Sequence, residues 1–306
     1  MQVLEVDRLQ KTYRSSGKVV EAVRDVSFRI SSSEVLAFLG ANGAGKTTTI
    51  KMIAGLILPD RGSVKVIGRD PHHQPKALRA IGAVLEGNRN LYWRLTPEEN
   101  LEYFGVLRGL SGRIARQRAK QLLERFELTH KRNTPVQTLS RGMQQKLAIA
   151  VALIHEPELL LLDEPTLGLD VEATQTVKRL VREIAQEGRA ILLTTHQLDI
   201  AEELSDRVAI INKGEIAIEE KTEDLIRQFS GSAYRIDLEQ ELDSDRQTKL
   251  QLLGASIQQT SVYISEATML YPTLDILNPL TIVRVERDQA NLFDIFLQLI
   301  REQTRG

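Results

Sequence analysis

Leu4, Val6, Val19, Ala22, Val26, Phe28 and Ile30 recur through the first thirty residues in the alternation of half-buried strands, interrupted by the turn-forming run Ser15-Ser16-Gly17. The spacing predicts an antiparallel sheet. Val35 to Leu39 is instead a continuous apolar run entering a glycine-rich stretch, the pattern of a strand buried on both faces that feeds a helix through a tight loop. Leu159 to Leu162 and Ile191 to Leu193 repeat it, with apolar or amphipathic helical segments between. Strand and helix in alternation predict a mainly parallel α/β sheet.

From about Leu91 to Thr138 the sequence becomes charged and helix-forming, as in RIARQRAKQLLERFEL. Thr96 before Pro97 and Glu98 is a helix start, because threonine caps free N–H groups and proline is tolerated in the first turn. A helical insertion over about 91–155 within the α/β frame follows. Val208 to Ile211, the turn Asn212-Lys213-Gly214 and Glu215 to Ile218 read as a hairpin. A boundary is expected at the small, polar stretch Gln228 to Ser232, giving a first domain over 1–228 and a small α+β domain over 229–306. The last segment of that second domain places Leu292, Ile295, Phe296, Leu299 and Ile300 on one helical face.

Length and composition narrow the class. A chain of 306 residues, 42% hydrophobic and 26% charged, is an ordinary globular sequence of about two domains. Forty Lys and Arg against forty-one Asp and Glu leave a net charge of -1, so no global basic field points to nucleic acid or an anionic membrane. The absence of cysteine removes disulfides, thiolate nucleophiles and cysteine metal sites, and fits a reducing compartment. No secretory signal is readable at the N-terminus, and the longest clean apolar run, Leu147 to Ile154, is far short of the roughly 20 residues that span a bilayer.

Gly40-Ala41-Asn42-Gly43-Ala44-Gly45-Lys46-Thr47 satisfies the phosphate-loop pattern between a buried strand and a helix. Its glycines let backbone N–H groups wrap phosphates, Lys46 directs a charge at the β and γ phosphates, and Thr47 offers a hydroxyl to magnesium. Chance produces such a match in about one chain in a hundred of this length. The leucine strand ends in Asp163-Glu164, where Asp163 is placed to hold magnesium and Glu164 to accept a proton from, or orient, an attacking water. Two acids after a strand alone would read as a helix cap; a phosphate loop in the same chain reverses that.

With these elements in place the chain resembles the nucleotide-binding subunit of an ATP-binding cassette (ABC) transporter. Leu139-Ser140-Arg141-Gly142-Met143 resembles the family's signature, with Arg141 and Met143 in place of the commonest glycine and glutamine. Tyr13 stands where an aromatic residue stacks on adenine, Gly168-Leu169-Asp170 resembles the loop after the catalytic glutamate, and His196 after Thr194-Thr195 resembles the switch histidine. The matches run in the family's order over residues 1 to 225. Glu86 stands where that family usually carries glutamine. The resemblance implies ATP and magnesium as cofactors, Lys46, Glu164 and His196 as catalytic, and Thr47, Asp163 and Glu86 at the metal. It implies nucleotide contacts from Tyr13, residues 40 to 47, Thr48, Glu86, Ser140, Gly142 and Asp170.

It further implies a head-to-tail pair, because one chain carries a single phosphate loop and a single signature, and twofold symmetry supplies both halves of each composite site. The expected function is the ATPase of an exporter whose multi-span membrane permease subunits are separate chains, cytoplasmic and peripheral on the inner face of the membrane. Tyr92 and Trp93 are candidates to grip such a subunit, with buried aromatic packing the equally weighted alternative. The competing readings are a soluble ABC-type ATPase acting on ribosomes or nucleic acid, and a non-transport regulatory cassette. The first lacks its usual second cassette, coiled coils or zinc cysteines, and the second is disfavoured by the presence of Lys46, Asp163, Glu164 and His196. No specific nucleic acid is expected: Arg113 to Lys120 reads as a solvated helix face, and His72-His73 has no partner to complete a metal site. Asn212-Lys213-Gly214-Glu215 lacks the aspartate of a guanine-reading motif, so ATP is preferred.

Overall fold

Four consecutive leucines are all buried only when both faces of their strand are covered, and Leu159 to Leu162 are each fully buried. Leu160 and Leu162 join one hydrophobic core and Leu159 and Leu161 another, as the two-residue period of a strand dictates. The computed structural model describes residues 1–15, 18–85, 91–229, 234–287, 291–293 and 295–296. Its contacts divide the chain into two units, Met1–Lys221 and Thr222–Gly306.

The first unit runs β1 (Gln2–Ser15), β2 (Lys18–Ser31), β3 (Val35–Leu39), α1 (Lys46–Ile53), β4 (Arg61–Val66), α2 (Pro75–Arg79), β5 (Ile81–Val84), α3 (Pro97–Leu107), α4 (Gly112–Arg125), α5 (Arg141–Leu153), β6 (Leu159–Asp163), α6 (Val171–Gln186), β7 (Ala190–Thr195), α7 (Leu198–Leu204), β8 (Arg207–Asn212) and β9 (Glu215–Lys221). The nine strands form one sheet in the order β4-β1-β2-β9-β8-β3-β7-β6-β5. From β8 to β5 all neighbours are parallel; β1 pairs antiparallel with β2 and β4, as β8 does with β9. The alternating N-terminal strands thus form the antiparallel part expected of them, and the continuous apolar runs form the parallel centre.

Local chemistry sets the ends of these elements. Thr96 caps α3 as a full capping box: its hydroxyl accepts from Glu99 N at 3.2 Å, and Glu99 accepts from Thr96 N at 2.8 Å. The β8–β9 hairpin turns on Lys213 and Gly214, both with positive φ, of 47° and 86°, the backbone of a two-residue turn matched to strand twist. The sheet also contains two strands the hydrophobic pattern does not announce, β4 and β5. Gly82 in β5 is required by contact, since a Cβ there would lie 2.4 Å from Ala152 O of α5.

The second unit opens with α8 (Thr222–Phe229) and continues β10 (Tyr234–Leu238), α9 (Ser244–Leu252), β11 (Ser256–Gln258), β12 (Ser261–Ile264), α10 (Leu270–Leu277) and β13 (Ile282–Arg287). After α8 this is a βαββαβ unit whose sheet, β11-β12-β10-β13, is antiparallel throughout, the ferredoxin-like arrangement. Ile236, Leu238, Val262 and Ile264 pack with Leu250 of α9 and Leu277 of α10. Alternate residues make a polar face, where Arg235 pairs with Asp237 at 2.8 Å and lies 5.7 Å from the Tyr263 ring centroid. Of the terminal helical pattern, Leu292 and Ile295 are buried; Leu299 and Ile300 fall outside the described residues.

Candidate active site

Parallel strands that neighbour one another deliver their following loops to the same edge of the sheet, which is where open α/β sheets bind ligands. In this sheet β7 lies between β3 and β6, in register with both: Leu39 pairs with Thr195 and Asp163 with Thr194. The glycine-rich loop after β3, the acids at the end of β6 and the histidine after β7 therefore converge.

The loop has the backbone its glycines permit. A Cβ on Gly40 would lie 2.4 Å from Ile211 O, and Gly45, at φ 114°, caps α1 in a conformation L-residues avoid while its missing Cβ clears Ala22 O by the same margin. Lys46 is buried, and its ammonium donates to Gly40 O at 2.5 Å and to Ala41 O at 3.2 Å, so the charge is folded back into the loop. Thr47 and Thr48 follow in the first turn of α1, half-buried.

Asp163 is buried, and its Oδ1 accepts a hydrogen bond from the Thr194 hydroxyl, whereas Oδ2 is buried with no hydrogen-bond partner. An orphaned carboxylate oxygen is costly unless something else uses it. Glu164 takes the left-handed backbone, φ 52°, and its N–H donates to Thr194 O at 2.9 Å. Its Oε2 accepts from the Thr195 hydroxyl at 3.1 Å, and its Oε1 lies 2.8 Å from His196 Nδ1. A carboxylate facing Nδ1 selects the tautomer with the proton there, on a ring that is itself exposed. Thr166 donates to Gln197 at 2.7 Å, tying the chain after Glu164 to the chain after His196.

Thr47 and Asp163 offer a hydroxyl and a carboxylate, a hard oxygen set, and the unpartnered Oδ2 is what a cation or its water would take up. These residues fit magnesium, which typically binds one or two carboxylates together with substrate phosphates.

Ser140, Gly142 and Asp170 form a second grouping, at the N-termini of α5 and α6. Ser140 caps α5 by accepting from Met143 N at 3.3 Å, and Asp170 caps α6 by accepting from Ala173 N at 2.8 Å. A Cβ on Gly142 would lie 2.7 Å from Ala173 Cβ, so this glycine is also what lets α5 approach α6. Arg141 reaches across to the loop before α6, where a Cβ on Gly168 would meet its Nη1 at 2.9 Å. Tyr13 is exposed at the end of β1, with Lys11 Nζ 5.9 Å from its ring centroid. Glu86 lies outside the described residues.

A groove of about 330 Å3 lies on the same unit, lined by Leu91, Tyr92, Phe104, Arg108, Val151 and His155 among others. The Tyr92 and Tyr103 rings meet edge to face, with centroids 4.9 Å apart, and both are exposed. His155 donates Nε2–H to Ile81 O at 3.0 Å, so its buried Nδ1 carries a lone pair with no partner. Burial, assisted by the Arg108 charge, lowers its pKa to about 4 and keeps it neutral. Neither the groove nor the two threonine hydroxyls is visible in the sequence as a motif, because each depends on strand register or helix packing. Asp70 accepts from the backbone N–H of His72 and pairs with the exposed His73 ring, both at 2.8 Å.

The sequence pattern that defines ABC transporters matches residues 23–167. The chain is 40% identical over 235 residues to the ABC transporter ATP-binding protein NatA of Bacillus subtilis (strain 168), covering 74% of this chain and 96% of that protein. It is 35% identical over 275 residues, 89% of this chain and 81% of the other, to the daunorubicin/doxorubicin resistance ATP-binding protein DrrA of Streptomyces peucetius. Among solved structures, that of a dimeric bacterial ABC transporter cassette is similar with a TM-score of 0.65 and 29% identity, over 72% of this chain and 98% of that one. Among the described residues no helix is long and apolar enough to cross a membrane.

Proposed function

Because the chain belongs to the ABC transporter family, we propose that it is the ATP-binding and ATP-hydrolysing subunit of an exporter. Its ATPase domain would span residues 1–228 and its accessory domain 229–306. The observation that carries this reading is the convergence of the phosphate loop, Asp163-Glu164 and His196 at the ends of three adjacent parallel strands. ATP entering the loop displaces Lys46 from the carbonyls of Gly40 and Ala41, and the ammonium then neutralises phosphate charge. Thr47 and Asp163 would hold magnesium, which when bound supplies charge stabilisation to the β and γ phosphates. Glu164 accepts a proton from the attacking water or orients it, and the His196 ring, held to Glu164 through Nδ1, is oriented toward the γ-phosphate.

Ser140 and the N-terminus of α5 are supplied to the nucleotide of a second copy, consistent with the dimeric cassette of similar fold. Tyr13 stacks on the adenine. The groove beside Tyr92 and Phe104 receives a cytoplasmic segment of a separate membrane permease, which places the subunit on the inner face of the membrane. Similarity to a drug-resistance ATP-binding protein over most of the chain supports export. Phosphate release by the purified chain tests the proposal: ATP turnover dependent on magnesium and abolished by Lys46→Ala is expected, and turnover unaffected by Lys46→Ala would overturn it.

A further inference from the structure

The run Ala190 to Leu193 in β7 is wholly apolar, and the strand then ends in two threonines, Thr194 and Thr195, both fully buried. A hydroxyl buried at the end of a hydrophobic strand costs stability unless it is bonded, and valine would fill the same space without that cost. Both hydroxyls are bonded, and each to a different acid. Because β6 and β7 pair in parallel with Asp163 opposite Thr194, two consecutive threonines stand beside two consecutive carboxylates. Thr194 donates to Asp163 Oδ1 and Thr195 donates to Glu164 Oε2 at 3.1 Å, while the Thr195 oxygen accepts from Gln197 N at 3.0 Å. A hydroxyl has one proton to give, so each threonine is committed to its own acid.

The consequences for the acids differ. With Oδ1 engaged, Asp163 has one buried oxygen left, Oδ2, and its carboxylate cannot rotate to offer the other without breaking the Thr194 bond. Glu164 is gripped from both sides, by Thr195 on Oε2 and by His196 on Oε1, on a left-handed backbone that leaves little freedom of its own. We infer that Thr194 and Thr195 are positioning residues for the hydrolytic site: Thr194 reserves Asp163 Oδ2 for the metal, and Thr195 fixes the plane of the Glu164 carboxylate relative to the attacking water. The inference rests on the ATPase reading above. It assigns these hydroxyls a function that neither the phosphate loop nor the acids perform.

The test uses the full chain with four variants, Thr194→Val, Thr194→Ser, Thr195→Val and Thr195→Ser, the serines keeping the hydroxyl and the valines the shape. Manganese binding in the presence of ADP, followed by electron paramagnetic resonance, reads Thr194 without turnover. Thr194→Val should weaken it by about fivefold or more, with ADP affinity in the absence of metal unchanged and Thr194→Ser within about twofold of the parent. Thr195→Val should lower kcat by about tenfold or more with KM for ATP held within about twofold, and Thr195→Ser should restore it. Melting temperatures measured in parallel separate positioning from folding, since a purely structural role would lower them while sparing metal affinity and kcat. Parent-like manganese binding in Thr194→Val together with parent-like kcat in Thr195→Val overturns the inference, as do serine variants as impaired as the valines. A parent chain that hydrolyses no ATP unseats the ATPase reading and the Thr195 role together, while the manganese measurement still decides Thr194.

Discussion

At the ends of β3, β6 and β7 the chain's own atoms hold the charged side chains: Lys46 rests on Gly40 and Ala41 carbonyls, Asp163 on Thr194, and Glu164 between Thr195 and His196. The groove beside α3 and α5 leaves part of its lining uncovered. In its lining His155 Nδ1 has no partner and Tyr92 is exposed, and outside the lining Trp93 and, on α3, Tyr103, Val106 and Leu107 are exposed as well. The contrast separates two kinds of recognition. A site for a small polyanion keeps its acids anchored before the ligand arrives, with Lys46 left to move onto it, whereas a surface for another protein keeps apolar area uncovered until the partner covers it. Asp163 Oδ2 is the exception at the first site, buried with no hydrogen-bond partner, and on that ground it is proposed as the atom that takes the metal or its water.

The largest expected effect is at Glu164. If this carboxylate is the group the first site is built to hold, Glu164→Gln lowers ATP turnover by about 100-fold or more in a phosphate-release assay, because the amide cannot accept the proton. The groove, being a separate surface, should still bind whatever docks there.

His155 sharpens the contrast through pH. Its pKa is lowered to about 4 in the folded chain, by burial first and the Arg108 charge second, so below about pH 6.5 the unfolded chain binds a proton that the folded chain refuses. Stability contributed by the neutral ring is complete above about pH 6.5, falls as the pH drops through that window, and levels off near 4, a loss of at most about 3 kcal/mol. Urea denaturation at pH 7 and pH 5 should show it, and His155→Gln should flatten the difference.

Gly40→Ala is expected to cost about 2 kcal/mol, since the added methyl must displace Ile211 O from 2.4 Å or shift the loop. Chemical denaturation measures the cost, and nucleotide affinity should fall with it. Smallest in the isolated chain is Tyr92→Ala: ATPase activity should stay within about twofold of the parent, and the whole effect should appear as lost co-purification with the membrane partner. Equal loss of both activities would mean that the groove and the nucleotide site are one functional surface.

Much of this arrangement is legible in the sequence because burial on both faces leaves a mark. Val35 to Leu39 and Leu159 to Leu162 show as unbroken apolar runs, and the loops that follow them carry their glycines and acids in plain order. The strand β5 is not legible in the same way, because Gly82 is there for the approach of α5 and weakens the apolar signal. Asp170 and Gly142, identified through a family resemblance, turn out to have local duties as well, one capping α6 and the other admitting Ala173. The pairing of Thr194 with Asp163 is beyond any local reading, since it depends on the register of two strands whose partners are 31 residues apart. In the second unit the α+β class follows from composition and period, but the strand order β11-β12-β10-β13 comes only from the fold.

Two copies of this chain should be joined by ATP, the signature of one against the phosphate loop of the other. This is read in the molar mass of Glu164→Gln by size-exclusion chromatography with light scattering, with and without MgATP, because that variant is expected to hold ATP without consuming it. A monomer that doubles in mass on adding MgATP is expected, and a double variant with Lys46→Ala that does not. A mass that stays monomeric at saturating MgATP, with ATP bound, would contradict it.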